Sequence, residues 1–281
     1  MKRKKIQEDK EYSELLAVND VKITSMVKKI IGELLPNDIK IVSKNESQKE
    51  LIKSIKNNEI TICSGPAGTG KTFVAVAYAL RLLRASTNRY KKIYLVKSVT
   101  TLKNEEIGYL KGGLEEKIEP FMWSFYINME KIVMKTLIAQ LIDEDIIRPF
   151  PLAYMRGASL DDCIIIADEM QNVTLDNART LLTRIGSNSK LILLGDTNQV
   201  DLKNKAESSL DIVLNLFDGV ENFGVIRMSE EDTNVRNPLI SVMEDKFKEY
   251  YETKLIMENS SGNSKNITSE TNKSHRLYGR Q

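Results

Sequence analysis

The stretch Gly65-Pro66-Ala67-Gly68-Thr69-Gly70-Lys71-Thr72 constrains this chain more than any other. It has the spacing G-x-x-x-x-G-K-[ST], with an apolar run at 60–63 before it and a helical apolar pattern after it, from Lys71 to about Arg84. Glycines let a backbone curl without a Cβ in the way, so that successive N–H groups face one anion. The helix that follows adds the positive end of its dipole. The pattern predicts a strand–loop–helix unit that cradles the phosphates of ATP. Gly65, Pro66, Ala67, Gly68, Thr69 and Gly70 form the cradle, Lys71 reaches the β- and γ-phosphates, and the Thr72 hydroxyl coordinates magnesium. A chance glycine-rich turn would not bring both flanking elements with it.

Further apolar runs lie at 93–96, 163–167 and 191–194, with another strand expected at 225–228, and helical patterns lie between them. Strands that alternate with helices predict an α/β fold, a mostly parallel sheet with helices on both faces. Runs apolar at every position suit strands buried on both sides. Ligands of such sheets sit at the carboxyl ends of the strands. The glycine-rich loop, Asp168-Glu169 and Gly195-Asp196 all fall at such ends, so three motifs point to one crevice. Ser47-Gln48-Lys49-Glu50 reads as a capping box opening a helix. Val27, Ile30, Ile31, Leu34 and Leu35 predict a short amphipathic helix ending before Pro36. Residues 102–147 read as mostly helical, with Phe121, Met122, Trp123, Phe125 and Tyr126 as a packing nucleus or, less in keeping with such clusters, a base-stacking platform. A last helix is expected from about Pro238, with Ile240, Met243 and Phe247 on its inner face. The organisation is therefore a helical and polar extension at 1–44, a core at 45–251 and a disordered polar tail at 252–281.

Composition removes several function classes. The 41 basic and 39 acidic side chains give a net charge of +2, so any basic surface must be local. A single histidine, His275, in the polar tail rules out a histidine-based triad or a multi-histidine metal site. Cys63 and Cys163 lie in apolar runs without metal-ligand spacing and read as core hydrophobes. Residues 1–10 are charged, unlike a signal peptide, and no apolar run reaches the roughly 18–20 residues of a spanning helix. A cytoplasmic protein with reduced thiols and no membrane partner is expected.

Asp168 closes an apolar strand, where its carboxylate can hold magnesium through water. Glu169 can accept a proton from the water attacking the γ-phosphate, or orient that water. Gln199, in Gly195-Asp196-Thr197-Asn198-Gln199, has an amide able to donate and accept, and can contact the γ-phosphate or the attacking water. Gln48 alone says nothing. The lysine-rich stretches Tyr90-Lys91-Lys92 and Lys103 to Lys117 suit either phosphate contacts or solvated faces.

Together these residues resemble the PhoH-like family of P-loop ATPases, over roughly 45–251. The resemblance rests on the phosphate loop, Pro151-Leu152-Ala153-Tyr154-Met155-Arg156-Gly157, Asp168-Glu169-Met170-Gln171-Asn172, Thr183-Arg184-Ile185-Gly186, Gly195-Asp196-Thr197-Asn198-Gln199 and Val235-Arg236-Asn237-Pro238-Leu239. Lys97-Ser98-Val99-Thr100-Thr101-Leu102 with Glu105-Glu106-Ile107-Gly108-Tyr109-Leu110-Lys111-Gly112 also looks like a family block. Singly only the phosphate loop is specific; in this order the set is very specific. The resemblance implies a RecA-like core similar to the first domain of superfamily 1 helicases. It further implies that Gln48 bonds adenine, Gln199 senses the γ-phosphate and Arg236 completes an ATP site, in its own subunit or a neighbour's. An ATPase coupled to RNA or single-stranded nucleic acid is the activity it implies.

Two departures qualify this. Many members carry Thr-Arg-Pro where this chain has Lys97-Ser98-Val99, so a nucleic-acid contact there is altered or moved to Lys97. Residues 1–44 are too short for the PIN nuclease that some members carry, so no nuclease activity is expected. The polar sequence after Tyr251 does not predict a second RecA-like domain. A transition-state arginine then comes from the same domain or another subunit, which favours a homo-oligomer such as a hexamer. A nucleotide-gated switch that turns over slowly is the competing reading, and nothing resembles the lid or acceptor site of a small-molecule kinase.

Overall fold

The structure, a computed structural model, describes residues 25–85, 89–98, 114–152, 155, 157–233 and most of 239–254. They fall into two compact units, divided after Asp232. The first unit holds a sheet of six parallel strands, ordered β3-β2-β4-β5-β1-β6. These are β1 (Ile60–Ser64), β2 (Lys92–Lys97), β3 (Ile147–Pro149), β4 (Cys163–Asp168), β5 (Lys190–Gly195) and β6 (Phe223–Arg227). Every residue of β1, β4 and β5 is buried, as the unbroken apolar runs require. The strand leading to the phosphate loop, β1, and the strand ending in Asp168, β4, are separated by β5.

Alternation along the strands divides the core in two. Ile164 and Ile166 of β4 with Ile192 and Leu194 of β5 face one apolar cluster. Cys163, Ile165 and Ala167 with Leu191 and Leu193 face the other. The first cluster is covered by α1 (the described part of a helix, 25–34), α2 (Glu46–Asn57), α3 (Lys71–Ala85), α4 (Leu114–Glu130) and α5 (Lys135–Asp143). The second is covered by α6 (Leu175–Leu182) and α7 (Leu210–Leu216). This is the expected α/β P-loop fold with helices on both faces.

Local differences have physical causes. Asn45, not Ser47, caps α2: its side chain accepts the Gln48 N–H at 2.9 Å, and the helix begins at Glu46. The Ser47 hydroxyl instead donates to Asp232 at 2.7 Å, tying α2 to the turn that follows β6. Met122 and Phe125 are fully buried and Phe121 and Tyr126 pack against the same cluster, so most of the aromatic group is a packing nucleus. Trp123 is 59% exposed and does not belong to it. In the second unit, Met243 and Phe247 are helical, while Pro238 and Ile240 of the expected last helix lie outside the described residues. Both cysteines are free and buried, which pushes the Cys63 thiol up to about 12 and that of Cys163 up to about 11.

Candidate nucleotide site

Parallel pairing brings the ends of four strands level. Ser64 of β1 stands opposite Gly195 of β5, and Lys97 of β2 opposite Asp168 of β4. The loops leaving these strands share one edge of the sheet. Between β1 and α3 the chain curls through Gly68 (φ 88°) and Gly70 (φ 84°), left-handed conformations that favour glycine.

The Lys71 ammonium is buried and lies within its own loop. It donates to the carbonyls of Gly65 and, at 2.9 Å, Pro66, and it stands 3.4 Å from the Thr69 hydroxyl. Burial lowers its pKa, opposed by Cys63 and by the carboxylates of Asp196, Asp168 and Glu169. Gln48 is buried on α2. Its amide donates to the Thr69 carbonyl at 2.8 Å and accepts the Lys44 N–H at 2.9 Å, bracing the loop from behind.

Thr72, at the start of α3, donates its hydroxyl to Asp168 Oδ2 at 3.0 Å. The other oxygen of Asp168 accepts the Glu169 N–H at 3.0 Å. Asp168 is 6% exposed. Burial raises its pKa, the Glu169 charge adds to the rise, and Lys97 and the two hydrogen bonds oppose it. Among the described residues no group of three or more His, Cys, Asp or Glu can hold a metal alone. A magnesium ion bound by a hydroxyl, one carboxylate, phosphate oxygens and water fits this donor set, because that ion takes few protein ligands.

Glu169 has φ 59°, left-handed and unusual for a glutamate. One carboxylate oxygen accepts from Gln171 Nε2 at 2.6 Å, and the other lies 3.8 Å from Lys97 Nζ. Lys97 also donates to Ser124 of α4 at 3.0 Å. Asp196 N–H donates to Gln171 Oε1 at 3.0 Å, and the Gln199 N–H closes a turn on the Asp196 carbonyl at 3.1 Å. Gln199 itself is exposed on that turn.

The phosphate loop, Gln48, Asp168, Glu169 and the start of the Gln199 turn thus lie at one edge. Arg236 lies outside the described residues, as do Val235, Asn237, Pro238, Ala153, Tyr154, Arg156 and 99–113. So do 1–24, His275 and the tail from 255. Sequence reasoning gave no role to Gln171, Asn172 or Ser124. The available signal was an amide pair one residue after Asp168-Glu169, which does not say where amides point. Lys91 and Lys92 are in ion pairs with Asp162 and Asp145, away from this edge.

The PhoH-like protein family matches residues 40–248. A PhoH-like protein of Bacillus subtilis strain 168 is 35% identical over 198 residues, 70% of this chain and 61% of that one. One of Mycobacterium leprae is 35% identical over 214 residues, 76% of this chain and 60% of its own. Protein PhoH of Escherichia coli K12 is 30% identical over 195 residues, 68% of this chain and 54% of its own. The chain spans about three fifths of the length of the relatives it matches best of these three. With a phosphate loop between β1 and α3, an acidic pair at the end of β4 and a family match that takes in both, the chain belongs to the PhoH-like family of P-loop proteins.

Proposed function

We propose that this chain binds ATP with magnesium on residues 65–72 and hydrolyses it, and that turnover is coupled to RNA or single-stranded nucleic acid. The 3.0 Å bond between Thr72 and Asp168 carries the catalytic part of the reading. It sets the loop hydroxyl and the strand-end carboxylate side by side, where one divalent ion can serve both. Magnesium would neutralise charge on the β- and γ-phosphates. Lys71 turns from the Gly65 and Pro66 carbonyls to phosphate oxygens. Glu169 orients a water whose oxygen bonds to the γ-phosphorus as the bond to the β,γ-bridging oxygen breaks. ADP and phosphate leave, and the water's proton passes to Glu169. Gln199 senses the γ-phosphate, and Gln48 serves the adenine side while it braces the loop. Arg236 completes the site in cis or from a neighbouring subunit of a homo-oligomer such as a hexamer.

The nucleic-acid part rests on the helicase-like order of motifs and on the exposed ring of Trp123, next in sequence to Ser124, which holds Lys97. A slow nucleotide-gated switch is the second reading, favoured by the engagement of both Glu169 oxygens by Gln171 and Lys97. Among the described residues no helix is long and apolar enough to cross a membrane; a cytoplasmic location completes the proposal. The test is steady-state ATP hydrolysis with and without single-stranded RNA and DNA at two salt concentrations. Stimulation that weakens with salt is expected. Turnover indifferent to both polymers would favour a protein-directed ATPase or switch.

A further inference from the structure

Two consecutive amides behind the acidic pair reach across to the loop that carries Gln199. Gln171 is buried in the 3-10 turn Met170–Asn172; its Oε1 accepts the Asp196 N–H at 3.0 Å, and its Nε2 donates to Glu169 at 2.6 Å. Asn172 Oδ1 accepts the Asp201 N–H at 2.7 Å, its Nδ2 lies 3.4 Å from the Asp201 carboxylate, and its carbonyl accepts the Ser98 hydroxyl at 2.8 Å. The stretch 196–201, with Gln199 inside it, is therefore held at both ends by the two amides. Gly195 makes room for this: a Cβ there would stand 2.7 Å from Gln171 Oε1 and 2.6 Å from Leu210 Cδ2. The left-handed backbone of Glu169 persists only where its surroundings over-determine it, and Gln171 supplies one of the two grips on its carboxylate.

We propose that Gln171 is a positioning residue that couples Glu169 to the Gln199 loop, so that the state of the γ-phosphate sensed by that loop sets the placement of the carboxylate. A primary amide offers what this position needs, an acceptor at one end and a donor at the other. The turn thereby links the end of β4 to the loop after β5 without passing through the nucleotide. This inference rests on the ATPase reading above.

The experiment uses the full chain with Gln171→Leu, which removes both bonds, and Gln171→Glu, which keeps an acceptor for the Asp196 N–H but cannot donate to Glu169. ATP affinity and turnover are measured in the wild-type background and in Glu169→Gln. Both variants are expected to keep ATP affinity within about threefold and to lose roughly 10²-fold in turnover, the scale of a misplaced catalytic group. In the Glu169→Gln background the same substitutions should cost less than about threefold more, because groups that act as a unit are not additive. Wild-type turnover in either variant, a loss confined to KM, or additive losses would overturn the proposal. If Gln171→Leu does not fold, Gln171→Glu decides. A wild-type chain that binds ATP without hydrolysing it would instead sink the ATPase reading, and this inference with it, a pattern distinct from active wild type with equally active variants.

Discussion

The two edges of the sheet treat charge in opposite ways. At the amino edge, charged residues stand just before or at the start of strands and pair at partly or fully exposed positions: Lys91 with Asp162 at 2.8 Å, Lys92 with Asp145, and Arg89 with Glu59 at 4.0 Å. The hydrogen bond from Lys91 holds the Asp162 carboxyl below its usual range. At the carboxyl edge, Asp168 and Lys71 are buried, and burial shifts each toward its neutral form. Exposed pairs of the first kind are worth about 0–1 kcal/mol each. Buried charges of the second kind cost stability unless a ligand or counter-ion offsets them. A buried charge that weakens the fold beside a phosphate loop marks a candidate place for binding and chemistry.

The largest effect is expected for Lys71→Ala, which should abolish measurable ATP binding in a titration. Nucleotide affinity that survives would place the phosphate elsewhere. Asp168→Asn follows, with opposite effects on activity and stability. Its folded pKa is raised above the unfolded value, so its charged form weakens the fold at neutral pH, and the weakening disappears as pH falls below the raised value. Asn should cut magnesium-dependent turnover at least about 10²-fold. It should also stabilise the chain by on the order of 1 kcal/mol, a few degrees in thermal unfolding. A destabilised Asp168→Asn would mean that the carboxylate is structural.

The amino edge makes the complementary prediction, with one exception. Lys190, the first residue of β5, is 4% exposed, donates to the Asn58 carbonyl and has a pKa lowered to about 8, chiefly by burial. Below that pH its charge costs stability, and the cost fades as pH rises from about 8 toward its ordinary value. Urea midpoints at pH 7.5 and 9.5 should shift in favour of wild type over Lys190→Met by about 1 kcal/mol, allowing for solvent at the stem. An unchanged difference would mean that this lysine stays charged throughout. The smallest effect is expected for Lys91→Ala: less than about 1 kcal/mol in stability and no change in turnover.

The sequence made the carboxyl edge legible because its motifs are contiguous. The phosphate loop and the acidic pair each sit at the end of an apolar run, and the runs of β1, β4 and β5 fix the parallel sheet. Three-residue β3 was not foreseen: it is a short edge strand, paired among the described residues only with β2, and it ends in Pro149. Seven-residue α7 was also missed, its pattern being too brief to show a period. Ser47 looked like a cap because its spacing to Glu50 is right, but Asn45 competes for the same role and wins. The bridge through Gln171 was invisible for a deeper reason. It depends on β5 lying beside β4, which places Asp196 within reach of a residue 25 positions earlier.

If binding and chemistry at this edge belong to different residues, Glu169→Gln separates them. ATP affinity and single-turnover hydrolysis should be measured together for wild type and the variant. The prediction is affinity within about threefold of wild type and hydrolysis slower by roughly 10³-fold, the range for a lost general base. Equal loss of affinity and turnover, or turnover unchanged, would contradict the assignment of Glu169 and the division of labour built on it.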